Sequence, residues 1–461
     1  GGTSSRGKNT VHAFCPVLLL LGVTSAPSQA PTPQPISKGV HSPSNMCDGK
    51  VILTLPSFMP MPPTAVKNIV IHNPATLEVV GELRSNCPED LPQIIARARQ
   101  AQEEWMRMPL RERRRKMRCL QEYVATHIDE LSKVICSETG KPRLEAVNTD
   151  LLCALSTVMY SVERMEKLFR PRRVGFGGLG PMMQYLGRRS YIQPRPVGVV
   201  AIIAPWNYPI GIPFSQAAMA VAAGNAVVLK PSSHTPFCGL EVRKAFIAAG
   251  VPENLVQVVV GSGATIGHAL VGSAVDRIIF TGSTAVGKEI MSLAAQRLTP
   301  VTLELGGNDP MIVMADADLE RAAHAAVWGA YVNAGQTCVC VKRIYVQERV
   351  YERFLELFKD GALRVKIGYG WDDPSVGMGP LINAAAVKDM EAQVARAVEQ
   401  GGKVLFGGRR PGLKGHFFEP TAIVDAPQSS DIVQQETFGP IVTIQRFRDE
   451  EEAIAMANDS S

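Results

Sequence analysis

The sequence predicts an α/β protein built on an open parallel sheet with helices on both faces. Three observations carry this. "VGVVAIIAP" (Val197–Pro205) is a continuous apolar run bounded by turn residues, which suits a strand buried on both sides. A strand–helix rhythm then runs without a break to Gly282. A second β/α series follows Glu304.

Taken in order, "VIHNPATLEVVGEL" from Ile69 has short strands broken at Asn73 and Pro74, a turn signal. Glu89 to Trp105 places Leu91, Ile94, Ile95, Ala98, Ala101 and Trp105 at helical spacing. Leu110 to Ser137 reads as one further helix, with Gly140 near its end. Its basic run Arg111–Lys116 reads as a solvated face, ahead of a phosphate or nucleic-acid patch. Arg170 to Arg195, with three clustered glycines, reads as an irregular or hairpin excursion. After the Val197 strand come helix Phe214–Ala223, strand "AVVLKP", helix Leu240–Ala249, strand Leu255–Val260, helix Ile266–Val271 and strand "DRIIFTG". The second series has helix Leu319–Asn333, strand "CVKRIYV" and helix Tyr351–Leu363. On such sheets ligands bind at the strand C-terminal ends.

The composition excludes several classes. With 461 residues, 46% of them hydrophobic, the chain has enough apolar residues for two or three cored domains, not a disordered chain. A net charge of +5 is too dilute to argue for nucleic acid. No 18-residue apolar run marks a membrane span. Nine Cys over this length do not make a disulfide scaffold, so a reduced, cytoplasmic setting is expected. The first 60 residues differ from the rest. Arg6 and Lys8 precede an apolar run, Phe14–Val23, and small residues follow it. That is the outline of a secretory signal, but translated sequence upstream of a later start at Met46, Met59 or Met61 is the preferred reading.

Two glycine-rich turns follow strands and open helices. Gly261–Gly267 spells GxGxxxG, one residue longer than the dinucleotide fingerprint. Gly282–Lys288 spells GxxxxGK, but Glu289 stands where a P-loop needs a Mg²⁺-binding hydroxyl. Either turn feeds a helix N-terminus, whose free N–H groups and positive dipole end suit a pyrophosphate. One alone is usually a tight connection; two on consecutive units favour a dinucleotide site.

Three side chains stand out chemically. Cys338, in "NAGQTCVC", has small and polar neighbours at a helix-to-strand junction, which favours an accessible thiol over core packing. Cys340 reads as a packed neighbour; the CxC pair has too few ligands for zinc, and no metal is expected. Glu304 precedes Gly306-Gly307 at a strand end, and Asn207 follows the Val197 strand between Trp206 and Tyr208. On residues alone, Glu304 reads as a surface carboxylate and Asn207 as a turn cap, with base and oxyanion donor as the functional alternatives.

The phrases PWNYP (205–209), LKPSS (229–233), FTGSTAVGK (280–288), LELGGNDP (303–310), GQTC (335–338) and QETFGP (435–440), in this order, resemble the NAD(P)-dependent aldehyde dehydrogenase superfamily from about Ile69 to Ser461. The resemblance implies a Rossmann-type dinucleotide-binding domain over 66–305 and an α/β catalytic domain over 306–461. An oligomerisation hairpin at 170–195 is inserted in the first, and residues 1–65 lie outside the match. It implies Cys338 as nucleophile, Asn207 and the Cys338 N–H as oxyanion donors, and Glu304 as the base that hydrolyses a thioester. Lys230 and Ser233 fall on the adenosine ribose, Gly282 and Ser283 on the pyrophosphate, Glu436 on the nicotinamide ribose, and Phe438 beside its ring. A homodimer or homotetramer acting on an aldehyde with NAD or NADP is implied.

Two departures matter. Ser233 replaces the usual Glu that repels a 2′-phosphate, so NADP⁺ use at least comparable with NAD⁺ is expected. Family segments also lie beyond Ser461, so the sequence reads as a fragment. Rival readings are an acylating, coenzyme-A-dependent or semialdehyde-specific dehydrogenase, and a catalytically silent relative.

Overall fold

A computed structural model describes residues 68–460. The signal-like leader and the alternative starts at Met46, Met59 and Met61 lie outside these residues. Strands β1 (Asn68–His72) and β2 (Val79–Arg84) form an antiparallel pair around the Asn73–Pro74 turn. There the Asn73 side chain accepts from the Ala75 N–H, an Asx turn. Strands β3 (Arg172–Val174) and β4 (Ser190–Ile192) pair antiparallel, so the excursion is a hairpin.

Five strands then build one all-parallel sheet: β5 (Val199–Ile203), β6 (Ala226–Lys230), β7 (Val256–Val258), β8 (Arg277–Thr281) and β9 (Val301–Glu304). Their order is β7-β6-β5-β8-β9. The chain steps outward one way from β5, then returns to its other side at β8, so the crevice between β5 and β8 is the topological switch point. All five residues of β5 and all five of β6 are buried, as their unbroken apolar runs require. The second sheet comprises β10 (Asp309–Val313), β11 (Val341–Gln347), β12 (Lys403–Phe406), β13 (Thr421–Val424) and β14 (Ile441–Phe447), in the order β10-β11-β14-β13-β12. Only its β12–β13 pairing is antiparallel. The chain passes from one sheet to the other between Glu304 and Asp309.

Each sheet has its own core. Trp105, fully buried with its indole N–H bonded to the Val221 carbonyl, pins helix Leu91–Arg107 to helix Gly211–Ala222. Tyr351, Phe354 and Phe358, buried one turn apart, anchor helix Tyr351–Leu363 in the second core.

Two helical expectations change. The stretch Leu110 to Ser137 is two helices, Leu110–Thr126 and Ile128–Thr139, separated at His127. The Thr126 hydroxyl bonds back to the Glu122 and Tyr123 carbonyls, and the His127 ring stacks on Tyr123, so local side-chain bonds compete with the helical ladder. Gly140, at φ +72°, closes the second helix in the left-handed cap position. The basic run is not merely a solvated face: Arg113, Arg114 and Lys116 donate to the Ala222, Val162 and Gly250 carbonyls and tie this helix to three neighbours.

Candidate active site

A parallel sheet presents the C-terminal ends of its strands along one edge. The pairings Ile203↔Lys230, Ile203↔Phe280 and Thr281↔Glu304 therefore bring the turn after β5, Lys230, the Gly282 turn and Glu304 to the same edge. The loop bearing Cys338, which enters β11 of the other sheet, joins them there.

That loop is held in an uncommon backbone conformation. Asn333 and Ala334 have φ +53° and Gly335 φ +68°, three consecutive left-handed residues. Asn tolerates this region and Gly favours it, whereas Ala is strained there by roughly 1–2 kcal/mol. A Cβ on Gly335 would land on the Gly439 carbonyl, so only glycine fits. A dense set of hydrogen bonds compensates. Lys342, buried, donates to the Gly335 and Gly439 carbonyls at 2.7 and 2.8 Å. The Gln336 side chain donates to the Asn333 and Pro380 carbonyls and accepts from Ile382 N–H. Tyr208 and Thr337 share a 2.6 Å hydroxyl contact.

Asn207 is 4% exposed, and its Nδ2 donates to the Gln336 carbonyl at 3.0 Å, two residues before Cys338. Its own carbonyl accepts from Lys141 Nζ at 2.6 Å and from Asn333 Nδ2 at 3.0 Å. Asn207 is thus built into the loop that presents Cys338, a relationship beyond a local turn cap. The Cys338 thiol is half-buried. Burial pushes its pKa up, and the carboxylates of Glu436, Asp309 and Glu304 push it further, so the resting group is a neutral thiol. Cys340 lies fully in the core, with its Sγ against the Gly329 carbonyl, as a packed neighbour.

Glu304, the last residue of β9, has an exposed side chain whose charge reaches Cys338. Glu436 approaches from the second sheet's side and accepts the Gly307 N–H at 3.3 Å. A Cβ on Gly306 would collide with its carboxylate, which accounts for the first glycine of the pair. The Phe438 ring meets Trp206 edge-on at 5.6 Å.

The remaining candidates form a donor set on the first sheet. Ser283 caps helix Thr284–Ala295, its hydroxyl accepting from Val286 N–H. Gly287 lies close under Leu305, whose side chain would have to shift to admit a Cβ there. Lys230 is buried, and among the described residues its Nζ donates to the Pro231 carbonyl at 3.0 Å. Burial lowers its pKa to about 8. An under-partnered ammonium, a serine-capped helix N-terminus and free space around Gly263 suit the hydroxyls and phosphates of a dinucleotide. The GxGxxxG turn carries its extra residue as a π-type turn over Gly263–Gly267. Ser233 lines a cavity of about 430 Å³ with His72, Glu138, His234, Asn383 and His416.

Asp309, Asn333, Gln336 and the buried Lys141–Asp150 ion pair (2.9 Å) were not singled out by sequence reasoning. The run Asn-Ala-Gly before the thiol carried a usable signal for the left-handed turn. Nothing local marked Lys141 or Asp150. Among the described residues, no group of three His, Cys, Asp or Glu has metal-holding geometry, and no helix is long and apolar enough to cross a membrane.

Comparison with known proteins places this geometry in context. The model of the "Aldehyde dehydrogenase family" matches residues 61–461. Glutarate-semialdehyde dehydrogenase of Pseudomonas putida is 38% identical over 395 residues, covering 86% of this chain and 80% of that protein. An NADP(+) succinate-semialdehyde dehydrogenase of Escherichia coli is 37% identical, covering 85% and 80%. The crystal structure of Escherichia coli lactaldehyde dehydrogenase superposes with a TM-score of 0.80 at 34% identity, covering 86% of this chain and 81% of that one. An NAD⁺ complex of a Bacillus cereus aldehyde dehydrogenase gives 0.81 at 33%, covering 86% and 79%.

Proposed function

This chain belongs to the aldehyde dehydrogenase family, and from that premise we propose the role of each residue in its site. The protein is an NAD(P)-dependent oxidoreductase that converts an aldehyde to a carboxylic acid. Cys338 is the nucleophile: its sulfur, once deprotonated, bonds to the aldehyde carbon and leaves a thiohemiacetal. Asn207 Nδ2 and the Cys338 N–H stabilise the oxyanion. A bound oxidised nicotinamide supplies a two-electron acceptor for hydride. The acyl group is then a thioester on Cys338. Glu304 takes a proton from water, which attacks the acyl carbon, breaks the C–S bond and releases the acid.

What supports this reading most is the hydrogen bond from Asn207 to Gln336 beside a half-buried thiol that feels the charge of Glu304. An exposed Glu304 is accessible to water, as a base acting on water requires. A coenzyme-A-dependent reaction has no need of that base. For the cofactor, we assign Lys230 to the adenosine ribose, Gly282 and Ser283 to the pyrophosphate, Glu436 to the nicotinamide ribose and Phe438 to the ring's flank. Ser233, without charge, tolerates a 2′-phosphate.

We further assign 66–305 to nucleotide binding and 306–461 to catalysis. The 170–195 hairpin serves as the contact of a homodimer or homotetramer, because Leu179, Met182, Tyr185 and Leu186 are each more than half exposed on it. The free thiols of Cys87, Cys119, Cys136, Cys238, Cys338 and Cys340 support a reducing, cytoplasmic setting. Succinate semialdehyde, glutarate semialdehyde and lactaldehyde are the first substrates to test, because relatives carry those names. The deciding experiment is reduced-cofactor production from an aldehyde panel with NAD⁺ and NADP⁺, by wild type and Cys338→Ser. Cys338→Ser abolishes production; full production by that variant overturns the assignment.

A further inference from the structure

We propose that Glu145 is a positioning residue for catalysis, holding the left-handed turn that presents Cys338 from a distant part of the chain. The inference rests on the assignment of Cys338 as nucleophile. Glu145 ends the short turn Arg143–Glu145, and its Oε1 accepts the backbone N–H of Asn333 at 2.9 Å across 188 residues of sequence. Asn333 is the first of the three left-handed residues. Helix Leu319–Tyr331 has ended by this point, so the Asn333 N–H is left without a helical acceptor. A buried N–H left unmet carries a desolvation penalty, so the carboxylate stabilises the turn directly.

The same short segment reaches the oxyanion candidate. Lys141 and Asp150, 2% and 0% exposed, form an ion pair. Lys141 Nζ donates to the Asn207 carbonyl, and Asp150 Oδ1 accepts from the Ile210 and Gly211 N–H groups. Residues 141–150 therefore grip both sides of the candidate site, the turn after β5 through Lys141 and Asp150, and the nucleophile turn through Glu145. Glu145 Oε2, by contrast, is enclosed and has no hydrogen-bond partner.

The bond is also titratable. Burial raises the Glu145 pKa to about 7, with the Asn333 N–H and Lys141 lowering it and Asp150 raising it. The other titratable groups that feel Glu145 are Cys136, Tyr208 and Cys340, all held above their ordinary values chiefly by burial. An ionised carboxylate is the stronger acceptor, so the turn is held more firmly above about pH 7 than below it.

The test is alkylation of Cys338 by iodoacetamide in the full chain without cofactor or aldehyde, followed by peptide mass and residual activity. Glu145→Ala is expected to slow Cys338 alkylation about tenfold or more, and Glu145→Gln, which keeps a neutral acceptor, to restore the rate below pH 7 but only part of it above. The ratio of wild-type to Glu145→Gln rates should rise from near unity below pH 7 to several-fold above it. Wild-type alkylation in Glu145→Ala, or a ratio flat with pH, overturns the proposal. If Glu145→Ala does not fold, the pH dependence of the ratio decides alone. Alkylation of wild-type Cys338 with no loss of dehydrogenase activity would instead overturn the nucleophile assignment itself.

Discussion

The side chain of Asn207 donates to the backbone carbonyl of Gln336 at 3.0 Å, joining the turn after β5 to the loop that carries Cys338. One Nδ2 hydrogen is used in that bond, leaving the other for an oxyanion beside the thiol. Replacing Asn207 by Ala should lower kcat by about 10²–10³-fold, the usual effect of losing one oxyanion donor, with KM changed far less. Steady-state kinetics check this, and a change confined to KM would argue against the oxyanion role.

The pH profile follows from the raised Cys338 pKa. The thiolate is the reactive form, and burial together with Glu436, Asp309 and Glu304 makes it harder to form. In the free enzyme, kcat/KM should therefore still be rising with pH above the ordinary thiol range. Asp309→Asn removes one of the three charges and should move the inflection to lower pH, read from kcat/KM against pH.

Cofactor choice is tested at Ser233. Without a carboxylate there, NADP⁺ should be used at least as well as NAD⁺ in steady-state kinetics with both cofactors. Ser233→Glu should lower kcat/KM for NADP⁺ tenfold or more while sparing NAD⁺. A wild type that strongly prefers NAD⁺ would rule out a permissive role for Ser233.

Glu138 makes stability depend on pH. It is 1% exposed, accepts the Phe237 and Cys238 N–H groups, and burial raises its pKa to about 7. The native state keeps this proton at a pH where the unfolded chain has released it. Its contribution is therefore greatest below the unfolded pKa and is lost as pH rises to about 7. Urea unfolding at intervals from about pH 5 to pH 8 should show that decline, and Glu138→Gln should flatten it.

Much of this architecture is legible in the residues. Runs such as Val197–Pro205 and "AVVLKP" have no polar face, so a doubly covered parallel strand is their economical solution. Cys338, Asn207 and Glu304 are each legible at a strand or loop junction, but only as candidates with plainer alternatives. What escaped was non-local. The His127 break depends on side-chain bonds that compete with a good helical pattern. Lys141, Glu145 and Asp150 act on loops 60 to 188 residues away, and no local spacing encodes that. Ser233 carries its assignment from the motif, and its neighbours across the cavity, Glu138 and His416, come from distant parts of the chain that no local spacing encodes.

On the proposed mechanism, Cys338 carries the acyl group and water activated by Glu304 releases it. Glu304→Gln should give a burst of reduced cofactor and then slow turnover, because the thioester outlives its base. Intact-protein mass spectrometry of that variant, mixed with a substrate aldehyde and oxidised cofactor, tests this most directly. One acyl adduct that maps to Cys338 is expected. Undiminished steady turnover by the variant, or an adduct on another residue, would contradict it.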